Sequence, residues 1–266
     1  MIARSLARIV QEVFRCRIAA GLMPSDVPIG VGYRNGTWTG RPLAMRTRHY
    51  EGAGYSLRIS EVASDAALEA LTVLFLPSRE SGQSIFFADV VAFGGVLSEV
   101  TVDVTSKGPS GSRARLEKAK QDLERCGTVR TFHADLPSPF STESGHVTPH
   151  PGTNDEVLLA IGRYLSAFEV SSRVDLQPHQ AARAEDDFLA KLTAMKEKPT
   201  LLSKLFGPTF TREYLQFFYG PSRAARIMLP DCFVEGSEEV PTANYSLSAR
   251  ADATERAPAS RPAKLA

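Results

Sequence analysis

Two glycines, Gly94-Gly95, separate two runs of strand-forming residues, Ile85–Phe93 and Val96–Val104, an arrangement that fits a tight hairpin. Upstream, Ala44–Tyr50, Tyr55–Val62 and Ala70–Leu76 are each bounded by Gly, Pro or charged turns. The apolar run from Leu71 to Leu76 is stopped by Pro77. Parallel neighbours need a crossover of about a dozen residues or more, and the connections here are shorter. At least four consecutive strands are therefore expected to form an antiparallel sheet. In the last run, Val96, Ser98, Val100, Val102 and Val104 alternate with Leu97, Glu99, Thr101 and Asp103, which predicts opposite faces for the two sets.

The second half has a helical period. Ser112–Cys126 mixes Arg, Lys and Glu with Leu116, Ala119 and Leu123, the pattern of a surface helix. Asn154–Val170 carries Val157, Ile161, Tyr164, Leu165 and Phe168 on one stripe. Gln177–Lys196 carries Phe188, Leu189, Leu192 and Met195, and Pro199 interrupts it. Leu201–Phe206 and Thr209–Phe218 flank Gly207-Pro208, a helix stop followed by a restart. Strands first and helices later predict an α+β protein with helices packed on the sheet.

A length of 266 residues suffices for a single core. The expected division is an N-terminal helix and loop over 1–37, a main domain over 38–220 that includes this segment in its fold, and a largely disordered extension over 221–266. A formal net charge of +1 implies no strong field for nucleic acid or a membrane surface. No apolar stretch reaches the roughly 18 residues that would span a bilayer. Leu6, Ile9, Val10 and Val13 fit an amphipathic helix that docks on the domain rather than a leader. The cysteines, Cys16, Cys126 and Cys232, are odd in number and without a pairing pattern. They point to a reducing cytoplasm and to no metal cluster. A monomer is expected.

Asp89 lies in the middle of Ile85–Phe93. Burying a carboxylate is expensive, and desolvation favours its protonated form, which can donate a proton on demand. Its position alone favours the solvated face of an edge strand. Asp187 ends the acidic run Glu185-Asp186-Asp187 beside Phe188 and Leu189, at the border of a buried stripe or on a solvated acidic face. Gly30-Val31-Gly32 lacks the flanking strand and helix of a dinucleotide loop. His146 and His150 have metal-like spacing, but Pro149 and Pro151 break any helix that would align them, so a solvated loop is expected there.

Taken together, two blocks resemble the ferredoxin-dependent bilin reductases. The first runs Leu71-Thr72-Val73-Leu74-Phe75-Leu76-Pro77, then Ile85-Phe86-Phe87-Ala88-Asp89-Val90-Val91 and Gly94-Gly95. It is similar to the family's strand ending in Phe-Pro, followed by Pro-x-Phe-Gly-x-Asp, with Phe87 in place of the usual glycine. The second contains Asp187-Phe188, then Lys198-Pro199-Thr200-Leu201-Leu202-Ser203-Lys204-Leu205-Phe206-Gly207 and Glu213-Tyr214-Leu215. It resembles the family's terminal helices, and Pro151–Phe168 resembles the helix before them. The similarity covers roughly residues 40–219.

The resemblance implies a three-layer α/β/α sandwich with a central antiparallel sheet flanked by helices. It implies biliverdin IXα as substrate, single electrons from a reduced [2Fe-2S] ferredoxin, no bound cofactor, and phytochrome or another bilin-accepting protein as a further partner. Asp89 and Asp187 match the family's proton-donating aspartates on opposite walls of the pocket, with Thr72, Phe87 and Phe188 as substrate contacts. Phycocyanobilin-forming members carry a His and a Glu where this chain has Thr72 and Ser60. Glu61 is adjacent, but one residue along a strand is the opposite face. These departures favour a phycoerythrobilin- or phytochromobilin-type reaction. A non-catalytic bilin carrier and a reductase of another linear tetrapyrrole, such as a chlorophyll catabolite, remain alternatives. Ferredoxin is acidic, so Arg113, Arg115, Lys118 and Lys120 on one helix, or Lys191, Lys196, Lys198 and Lys204 around the C-terminal block, are candidate docking charges.

Overall fold

Among the described residues, nine strands pair into one sheet, and each of these pairings is antiparallel. They are β1 (Met23–Ser25), β2 (Tyr33–Trp38), β3 (Arg41–Glu51), β4 (Tyr55–Ser64), β5 (Leu68–Pro77), β6 (Ile85–Phe93), β7 (Val96–Thr105), β8 (Gly127–Val129) and β9 (Gly145–Pro149). The order across the sheet is β1-β3-β4-β5-β6-β7-β9-β8, with β2 also paired to β3. This computed structural model describes residues 4–52, 54–65, 67–77, 83–105, 110–130, 140–171, 186, 188–192 and 201–220. All of them lie within one compact unit, residues 1–229. Asp187, Lys196, Lys198, most of the predicted helix over 177–196 and the extension after 220 lie outside the described residues.

The helices divide between the two faces. α1 (Arg4–Ala19), α3 (Ser110–Glu124) and α4 (Asn154–Ser171) cover one face. Leu6, Val13, Leu123, Ile161 and Phe168 pack there against Ile59, Val73, Phe75, Phe86 and Val102. The Phe75, Phe86 and Phe168 rings lie 5.2–6.1 Å apart, and such ring pairs add about 0.5–1.5 kcal/mol beyond their burial. The other face carries the helical turn α2 (Ile29–Gly32), helical residues 188–192, α5 (Leu201–Phe206) and α6 (Pro208–Phe218). The predicted three-layer α+β sandwich is therefore present. α6 starts as its sequence dictates: Gly207 adopts φ +88°, and Pro208 follows in the first turn.

Three local features differ from expectation. The loop expected between the N-terminal helix and residue 38, with room for a short strand, supplies two strands and a helical turn, β1, β2 and α2. His146 sits in a strand, β9, and not in a solvated loop; its partners are β7 and β8. Leu97 joins Val100, Val102 and Val104 in the core, although simple alternation put it with Glu99. The cause is a β-bulge. Val91 pairs with Glu99 and Ala92 with Leu97, which leaves Ser98 as the extra residue, its hydroxyl donating to the Val91 carbonyl at 3.1 Å. The Gly94-Gly95 turn beside it has φ +59° and +78°, the left-handed pair that a two-residue hairpin requires.

Candidate active-site cleft

The second face of the sheet carries a row of polar residues in direct register. Thr47 on β3 pairs with Ser60 on β4, Ser60 with Thr72 on β5, Thr72 with Asp89 on β6, Asp89 with Thr101 on β7, and Thr101 with His146 on β9. Opposed residues of antiparallel strands share a face, so all six side chains rise on the same side. A cavity of about 260 Å³ lies over the middle of this row. Ser60, Val62, Ala70, Thr72, Asp89 and Val91 form its floor, while Leu202 and Leu205 of α5, Tyr214 and Leu215 of α6, and Tyr219 form its roof. Phe93 and Glu99, both partly exposed, stand at its edge.

Asp89 is half-buried, and Thr72 Oγ1 donates a hydrogen bond to its Oδ1 at 2.9 Å. On the other side of Asp89, Thr101 Oγ1 lies 2.5 Å from His146 Nδ1. His146 Nε2 lies 3.9 Å from Glu99 Oε1, which also faces Arg130 Nη1 at 3.4 Å. Ser60 and Thr72 both line the cleft. Glu61 pairs with Leu71 on the opposite face and forms an ion pair with Arg48.

Phe87 and Phe188 reach the same side of the sheet as Asp89, yet they are not among the residues that line the cavity. Their rings lie 6.3 Å apart, and both pack on Phe140. In the described structure they belong to the apolar cluster on that side of the sheet. Next to them, Asp103 is fully buried. Desolvation pushes its carboxyl up to about 6, against the opposing effect of hydrogen bonds from Ser141 and Thr105.

Two residues of this region were not singled out from the sequence. Arg58 is only 2% exposed, and its Nη1 donates to the carbonyls of Phe218 at 2.9 Å and Gly220 at 2.6 Å. Its guanidinium also lies 5.6 Å from the Phe217 ring centroid. Tyr219, whose neighbours it grips, lines the cleft. Burial, and then the charge of Asp89, hold the Tyr219 phenol well above its usual range, so it is a neutral hydrogen-bond donor. The one sequence signal was Arg58 itself, a cation between Ser56 and Ser60 on a strand whose alternate residues are apolar.

The candidate docking charges divide as well. Arg113, Lys118 and Lys120 lie on α3, on the far side of the sheet, and are engaged with Glu143, Asp122 and Glu124. Lys204 lies exposed on α5, in the roof of the cleft. Among the described residues, no group of three His, Cys, Asp or Glu side chains could hold a metal ion, and no helix is long and apolar enough to cross a membrane.

No family model matches the chain, and no curated protein matches it. Among solved structures, phytochromobilin synthase from tomato, in complex with biliverdin, aligns with a TM-score of 0.57 and 15% identity. The alignment covers 79% of this chain and 81% of the other. The shared property at this identity is the fold, a large antiparallel sheet flanked by helices.

Proposed function

We propose that the protein reduces a linear tetrapyrrole of the biliverdin class, with Asp89 as a proton donor to the bound substrate. The observation that carries this reading is the placement of Asp89: a carboxyl group on the floor of a largely apolar cleft between sheet and helices. The tomato protein that shares the fold was solved with biliverdin.

Reducing one double bond of a bilin takes two electrons and two protons. Each electron makes the conjugated system more basic, and a positioned acid then decides which carbon receives the proton. The Thr72 hydroxyl donates to Oδ1 and so holds in place the carboxyl group that delivers that proton. Thr72 thus orients the acid, where the phycocyanobilin-forming pattern has a histidine that titrates. This supports a phycoerythrobilin- or phytochromobilin-type product. Asp187 would serve as a second donor from the helical side. Electrons would come singly from a reduced ferredoxin, and Lys204 on the roof is better placed to meet an acidic partner than the paired lysines of α3.

The test is anaerobic mixing with biliverdin IXα and reduced ferredoxin, followed by absorbance and product chromatography. Conversion to a blue-shifted bilin, lost in Asp89→Asn while binding persists, supports the reading. Binding without conversion sinks catalysis and leaves a carrier; absence of binding sinks the substrate class.

A further inference from the structure

The mechanism above uses the floor of the cleft, and the roof contains a polar group it leaves idle. Tyr219 is 4% exposed and lines the cavity, and no described residue shares a hydrogen bond with its hydroxyl. A tyrosine hydroxyl that faces a cavity can donate to whatever binds there. The position is also held with unusual firmness. Arg58 binds the carbonyls on both sides of Tyr219, those of Phe218 and Gly220. The Tyr219 N–H donates to the Leu215 carbonyl at 2.9 Å, and the ring meets Phe218 edge-on at 5.1 Å. A buried guanidinium costs several kcal/mol unless it is well paired, and the carbonyls at the end of a helix carry partial negative charge that suits it. One cation thus fixes the backbone on each side of a single side chain.

We propose that Tyr219 is a substrate-binding residue of the cleft, its phenol donating a hydrogen bond to a carbonyl oxygen of the bound tetrapyrrole from the roof, and that Arg58 is the positioning residue that holds it there. The inference rests on the tetrapyrrole reading and deepens it. A linear tetrapyrrole ends in lactam carbonyls, which are acceptors, and a neutral phenol beside Asp89 remains a donor throughout the working pH range. The hydrogen bond draws electron density towards the carbonyl, so it fixes the orientation of the ligand over Asp89 and alters its absorption.

The experiment titrates biliverdin into the parent protein, Tyr219→Phe, Arg58→Lys, Arg58→Met and the Tyr219→Phe/Arg58→Met double variant, under anaerobic conditions. Thermal melts check that each is folded. Tyr219→Phe is expected to weaken binding about tenfold, the equivalent of one hydrogen bond, and to shift the bound spectrum. The same loss should appear mainly in KM, with kcat changed less. Arg58→Met should reproduce that spectrum, Arg58→Lys should recover part of the parent's, and the double variant should bind no more weakly than the worse single one. A Tyr219→Phe protein with the parent's affinity and spectrum overturns the inference while the substrate reading stands. If Arg58→Met does not fold, Tyr219→Phe alone decides. A parent protein that fails to bind biliverdin overturns both.

Discussion

The two faces of strands β4 to β7 differ more than neighbouring residues of one strand usually do. Towards α1, α3 and α4 they present Ile59, Leu71, Val73, Ala88, Val90, Val100 and Val102, all buried and apolar. One residue along, towards α5 and α6, they present Arg58, Ser60, Thr72, Asp89 and Thr101. Strand alternation therefore separates stability from chemistry at a spacing of a single residue. The first face supplies a continuous core that tolerates a costly second face, and the register that aligns one aligns the other.

Substitutions on opposite sides of one strand should break in different assays. Asp89→Asn should lower turnover by about 10²–10⁴-fold, the usual worth of a positioned acid, while the midpoint of thermal unfolding stays near the parent's. Phe86→Ala, on the apolar face of the same strand, should do the reverse. It should cost about 3–5 kcal/mol in denaturant unfolding, with specific activity of the folded fraction preserved. A fall of activity for Phe86→Ala at full occupancy of the fold would blur the division.

Asp103 sharpens the comparison through pH. It lies on the cleft side of β7, and its carboxyl is raised from the ordinary 3.8 to about 6 by burial. A raised acid binds its proton more tightly in the folded protein than in the unfolded chain. Between about pH 4 and 6 the folded state holds more protons, so this group's stabilising contribution is present at low pH and is lost as pH rises through 6. Asp103→Asn keeps an acceptor for Ser141 without the charge. Its stability relative to the parent should therefore increase from pH 4 to pH 7, by on the order of 3 kcal/mol at most. A constant difference across that range would show that Asp103 does not titrate there.

Thr72→Val is the smallest of these changes. It preserves shape and removes only the donor to Asp89. Turnover should drop about tenfold, with stability altered by about 1 kcal/mol or less, since the affected group is half-open to the cleft. Equal turnover in Thr72→Val would mean that Asp89 is oriented by something other than this hydroxyl.

Much of the molecule was legible in the chain because its elements are long and periodic. β4 to β7, α4, α5 and α6 fall within about two or three residues of their predicted bounds. Asp89 was legible for the same reason, as an acid inside an apolar period. β8 and β9 were not, because three and five residues flanked by Gly and Pro carry no period to read. Leu97 was assigned to the wrong face because a bulge resets alternation, and nothing in Leu97-Ser98-Glu99 announces one. Tyr219 and Arg58 escaped for a different reason. Tyr219 stands just past a helix end, and Arg58 meets Phe218 across 160 residues of sequence, a separation no local pattern encodes.

That separation has a consequence for the order in which the protein is made. Arg58 enters the nascent chain with its strand, whereas the two carbonyls that its Nη1 binds arrive with residues 218 and 220. At about 5–20 residues per second, the ribosome takes on the order of ten to thirty seconds to supply them. During that interval α1 and the early strands can already associate through their apolar side, while the guanidinium must keep its water. Newly synthesised chains should thus spend their first seconds with an open, hydrated sheet surface, and a ligand encountered then would find a floor but no roof.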